Sequence, residues 1–220
     1  NPKNAQAYIG WAETLLRARK PKEAVAVLEK ALAAGLEDAD IHLALGYSYS
    51  EDGDYGSALR HYTTALGLGG EKPKAHFYLG ALYDKLGRRD DAGRELREAI
   101  RLDPAFAEAY NYLGYLYAER GENLDEAVIL TARAVELDPE NGAFLDSLGW
   151  AYFKKGMVDV ALPFLERAAE LEPDDAAVFD HLGDVYHRQG EIDKARAAWQ
   201  RSLERDPAQE KVREKFERTE

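Results

Sequence analysis

Cysteine is absent from the 220 residues, which removes disulfide staples, thiolate zinc sites and thiol nucleophiles at once. A reducing cytosol and a bacterial envelope space both tolerate such a chain, so the compartment stays open. Long apolar runs are missing too. No window approaches the roughly 18 consecutive apolar residues that a membrane span requires, and the opening NPKNAQAY has neither the basic nor the apolar region of a signal peptide. Lysine and arginine are outnumbered, 29 against 41 acids, for a net charge of -12. That balance disfavours a phosphate backbone as partner, because such binding depends on cations neutralising the polyanion. No Gly-rich phosphate loop, strand-linked catalytic motif or Ser, His and Asp set emerges. No cofactor, metal or catalytic residue is therefore assigned. What remains is 45% hydrophobic content, enough to bury a sizeable core.

That content is periodic. Prolines stand at Pro2, Pro104, Pro139, Pro173 and Pro207, with Leu36 and Gly70 in the gaps, at steps of 34 or 35 residues. The units run 5–38, 39–72, 73–106, 107–141, 142–175 and 176–209, the fourth carrying one extra residue in its turn GENLDEA. Within each unit apolar residues recur at helical spacing, a glycine interrupts, and a second helical run follows. The interruptions are Gly53, Gly87, Gly121, Gly156 and Gly190, where a left-handed residue can end a helix. Asp90, Asp125, Asp159 and Asp193 follow them as expected caps of the second helices. Pro163 is expected in the first turn of its helix, where proline is tolerated. The tail AQEKVREKFERTE, residues 208–220, reads as one closing helix with Ala208, Val212 and Phe216 on its apolar stripe. Asn1-Pro2 sits where a preceding unit would finish, so the chain is expected to be cut from a longer array.

Five units share Leu-Gly in the first helix, from Leu45-Gly46 to Leu182-Gly183, then a tyrosine (Tyr49, Tyr83, Tyr117, Tyr152, Tyr186). Alanines such as Ala58, Ala92, Ala127, Ala161 and Ala195 recur in the second helix. The first unit substitutes Trp11-Ala12 and Leu15. These letters resemble the tetratricopeptide repeat over essentially the whole chain. The resemblance implies an all-α right-handed solenoid of six helix-turn-helix repeats plus a C-terminal capping helix, one domain over 1–220, with no catalysis of its own. Gly and Ala let helix axes approach while Leu and Tyr fill the space around them. A large residue at Ala161 is expected to overpack that contact. The last third is also similar to the C-terminal arrays of larger bacterial proteins of this family, some of them envelope-associated.

In that family a second stripe of the first helix lines a concave groove. Counted from each unit's start it holds positions 2, 5, 9 and 12, spaced as one helical face. Of its 24 residues seven are acidic and one is basic. The groove residues expected to contact a partner are Asp40, Leu43, Tyr47, Phe77, Asp84, Glu108, Asn111, Tyr115, Asp146, Trp150, Phe153, Asp180, Asp184 and His187. Exposed aromatics rimmed by polar groups are the usual anchors of a binding surface, so the implied partner is a protein or peptide segment, apolar with Lys or Arg. The family's carboxylate clamp needs Lys at position 5 and Asn at position 9. Here position 5 reads Ile9, Leu43, Phe77, Asn111, Asp146 and Asp180, and position 9 offers no Asn. Asp180, Asp184 and His187 share a face as metal ligands might, and the alternative is an acidic groove end with a surface histidine. His42 and His76 are expected to pack between helices. The rival to groove binding is a structural module of a larger, bacterial envelope protein that self-associates through its N-terminal repeat or its convex face, leaving the groove incidental.

Overall fold

The computed structural model describes residues 4–69 and 72–219; Asn1, Pro2 and Gly70, which mark the repeat in the sequence, lie outside them. Thirteen helices and no strand occur among the described residues. The chain divides into two compact units, Asn1–Phe106 and Ala107–Glu220. The first contains α1 (Ala5–Arg17), α2 (Pro21–Ala33), α3 (Ala39–Asp52), α4 (Tyr55–Gly69), α5 (Pro73–Lys85) and α6 (Arg89–Leu102). The second contains α7 (Ala107–Arg120), α8 (Leu124–Leu137), α9 (Gly142–Lys154), α10 (Val158–Leu171), α11 (Ala176–Arg188), α12 (Ile192–Arg205) and α13 (Glu210–Arg218). Within each unit consecutive helices form hairpins, and each following first helix leans on the second helix before it, as α3 does on α2 and α11 on α10.

The local chemistry explains the breaks. Gly53 ends α3 at φ 83°, a left-handed conformation that costs a residue with a Cβ strain, and its amide returns to Ser50. Side-chain caps occur on first and second helices: Asp38 accepts from the amides of Asp40 and Ile41, Asn141 from that of Phe144, and Asp54, ahead of α4, from that of Ser57. Asp90, Asp125, Asp159 and Asp193 do not cap. They sit inside the first turns of α6, α8, α10 and α12, where a carboxylate gains from the helix dipole instead. Pro163 is the sixth residue of α10 rather than part of its first turn, and it leaves the Asp159 carbonyl without its usual helical donor. The closing helix begins at Glu210, so Ala208 lies exposed in the turn before it. Val212 and Phe216 carry the packing against Trp199.

The core is made where the repeat letters fall. Ala24 and Leu28 of α2 are buried with Ala12 of α1 and Leu45 of α3; Ala161 and Leu165 of α10 are buried with Leu182 and Val185 of α11. His42 is buried between α3 and α4, its Nδ1 2.9 Å from Nδ1 of His61. Burial, then the neighbouring His42, pushes the His61 pKa down to about 4. His76 reaches across to Glu95 at 2.7 Å. Both histidines thus join the two helices of a hairpin.

Candidate functional site

In the first unit the stripe at positions 2, 5, 9 and 12 borders open space. A hollow of about 310 Å³ lies between α1 and α3, lined by Ile9, Glu13, Leu16, Leu43, Ala44 and Tyr47 among others. Tyr47 is exposed, with its ring 5.3 Å from that of Tyr78, and burial followed by the nearby Glu51 raises its pKa. A second hollow of about 350 Å³ holds Asp40, Leu43, Lys74 and Phe106. Phe77 is half-buried and tilts against Phe106 at 5.1 Å, and Asp84 is half-buried one helical stretch further on. Asp40 is not a free charge, since Lys72 is bonded to it.

In the second unit more of the stripe is covered, Asp146 and Trp150 being buried. Trp150 is only 7% exposed, stacked between His181 at 4.0 Å and Phe153 at 5.1 Å, and its indole N–H donates to Glu119. Asp146 is buried as well. Both its oxygens face Nδ1 of His181 at 2.9 and 3.0 Å. Burial alone would lower the His181 pKa, but Asp146, with Asp180 and Glu119, outweighs it and the net direction is upward. Tyr115 is half-buried, and burial, then Glu119, pushes its hydroxyl well above the ordinary range. Asn111 is half-buried, its Oδ1 without a partner among the described residues. Glu108 is exposed. A hollow of about 490 Å³ is lined by Trp150, Phe153, Asp184 and His187.

Asp180 and Asp184 are brought together, but around a cation of the chain itself: Lys215 of α13 donates to them at 2.7 and 2.8 Å. Burial still raises the Asp180 pKa, against the pull of Lys215. His187 stands apart, 5.5 Å from Trp199, and the described residues contain no cluster suited to a metal ion. Four of the seven stripe acids (Asp40, Asp146, Asp180, Asp184) are therefore neutralised within the chain, and the stripe attracts cations less than its composition implies.

Composition along one stripe missed His181, Lys215, Lys72 and Glu119, because their partners lie 31 to 35 residues away in the chain. A signal existed. Asp146 to His181 and Asp180 to Lys215 are both 35 apart, and Asp184 to Lys215 is 31 apart. One repeat plus one residue joins positions 5 and 6 of consecutive first helices.

The tetratricopeptide repeat model matches residues 14–205. The chain belongs to the tetratricopeptide repeat family, whose members serve as scaffolds for protein–protein interaction. Its fold is similar to that of a chain in the Cut9–Hcn1 hetero-tetramer of the APC/C, with a TM-score of 0.89 at 22% identity, covering 100% of this chain and 43% of that one. This chain thus spans less than half the length of that one. PilF of Pseudomonas aeruginosa aligns at TM-score 0.81 and 17% identity, covering 98% and 97%. YrrB, described as a protein of this family with an unusual peptide-binding site, aligns at TM-score 0.58 and 28% identity, covering 81% and 91%. No protein of curated function matches the sequence. No helix among the described residues is long and apolar enough to cross a membrane.

Proposed function

We propose that this chain is a non-catalytic docking scaffold that receives an apolar, lysine- or arginine-bearing protein segment on the inner stripe of its first helices. The observation that carries this reading is the pair of hollows bordered by that stripe, one beside the exposed Tyr47 and the other beside the half-buried Phe153. Aromatics at the edge of open space supply contact area at low entropic cost. The peptide-binding site ascribed to YrrB lends family support. Trp150 is a frame for Phe153 rather than an anchor, since its ring is sandwiched and its N–H is taken.

Peptides selected from a random display library against the intact chain are the probe. Tyr47→Ala and Phe153→Ala together are expected to weaken the selected peptides about tenfold or more, with the helical circular dichroism unchanged at a temperature well below melting. Raising salt from low to about 0.5 M should weaken them by only about threefold, because most stripe acids are already paired. Equal affinity for wild type and the double variant contradicts the docking role.

A second reading, self-association through the N-terminal repeat, is favoured by one observation. Trp11 on α1 is 55% exposed, whereas its equivalents Leu45, Leu79 and Leu182 are buried against the preceding second helix. Light scattering across a hundredfold range of concentration separates the two. A constant monomer mass removes this second reading.

A further inference from the structure

Position 6 of one first helix repeatedly plugs the space between positions 5 and 9 of the first helix before it. His181 does so on Asp146 and Trp150, Lys215 on Asp180 and Asp184, and Tyr78 lies beside Tyr47 while joining the cluster that includes Leu43. The same spacing leads from Ile9 and Glu13 to Ala44. A methyl group cannot plug that space, and the hollow of about 310 Å³ opens there. Glu13 is exposed and pairs with no cation among the described residues. It occupies the place that Asp184 takes opposite Lys215.

We infer that the hollow between α1 and α3 is a slot for a lysine side chain of the docked segment, the ammonium held by Glu13 and the aliphatic stem lying along Ile9 and Leu16. This rests on the docking reading above and names the residue type that enters first. Lys215 is the internal precedent for the charge, since its ammonium satisfies the acids at the corresponding positions of α11. Ile9 in place of Asp180 supplies an apolar wall for the stem, which suits the long hydrocarbon arm of lysine. Lys74 also lines the hollow, exposed at its rim, and its charge opposes the incoming ammonium.

The test uses the intact chain and two synthetic eleven-residue peptides, one with a single lysine flanked by leucines and one with that lysine Nε-acetylated. Methyl NMR shifts of Ile9, Leu16 and Ala44 are read during titration. The lysine peptide is expected to bind about tenfold more tightly than the acetylated one, Glu13→Gln to erase most of that difference, and Lys74→Ala to tighten binding. Ala44→Lys, which supplies the chain's own plug, is expected to abolish binding while its melting temperature rises slightly. In a Glu13→Gln background that rise should vanish. Equal binding of the two peptides overturns the slot, as does Ala44→Lys lowering the melting temperature equally with and without Glu13. A lysine peptide that shifts methyls near Phe153 and His187 but not Ile9 and Ala44 overturns the slot while docking stands. Shifts at neither place overturn both.

Discussion

Replacing Asp146 by alanine is expected to cost about 2–4 kcal/mol of stability in denaturant unfolding. Asp146 and His181 are 7% and 6% exposed and hold each other through both carboxylate oxygens. Breaking a permanent buried ion pair typically costs about 3–5 kcal/mol. Here the imidazole can shed its proton, so the lower part of that range applies. Asp146→Asn, which keeps an acceptor for a neutral ring, should lose about half as much. The pH dependence gives the sign. The folded-state pKa of His181 is raised above its ordinary 6.5, so the folded form holds the proton longer than the unfolded one. The pair's contribution is complete below pH 6.5 and is lost as pH climbs through the raised value. Without Asp146, burial opposes the charge and only Asp180 and Glu119 still favour it, so that loss above pH 6.5 should disappear. A wild-type chain whose stability is flat from pH 6 to 9, and equal to that of Asp146→Ala, contradicts the assignment.

Gly114→Ala in α7 is expected to destabilise by about 1–3 kcal/mol although alanine is the better helix former. A Cβ there would lie 2.7 Å from the Thr131 methyl and 2.9 Å from the backbone carbonyl oxygen of Ala127. The carbonyl belongs to α8 and cannot swing aside as a side-chain tip could. Gly10→Ala in α1 is the control. Nothing lies within 4 Å of its Cβ, so the helix propensity gain of about 1 kcal/mol should appear unopposed. The two substitutions are chemically identical, and urea titrations should move their midpoints in opposite directions. Shifts of the same sign would mean that the Leu-Gly letter is not a close-packing device.

The hairpins were legible because their causes are local: glycine at the break, helical spacing of leucine and tyrosine, alanine where axes meet. Leu45, Leu113 and Ala161 are fully buried where that spacing places them. The stripe was legible as a set of positions but not as a surface. Tyr47 stays exposed because the next first helix presents Tyr78 at its side, whereas Trp150 is covered because the next one presents His181 over its face. Both outcomes depend on one side chain a repeat away, and a count of acids or aromatics along a single helix cannot register it. The second-helix aspartates misled for a different reason. Their distance from the glycine suggested caps, but the helices begin two residues earlier than that spacing implies.

Docking on the first helices is tested most directly by placing a photoreactive benzoylphenylalanine singly at Tyr47, at Phe153 and at Ile129, the last 68% exposed on α8. Each protein is irradiated with the same display-selected peptide. Crosslinking is expected at positions 47 or 153 and to be at background at 129. Crosslinking confined to position 129 would place the partner on the second helices and contradict the docking role.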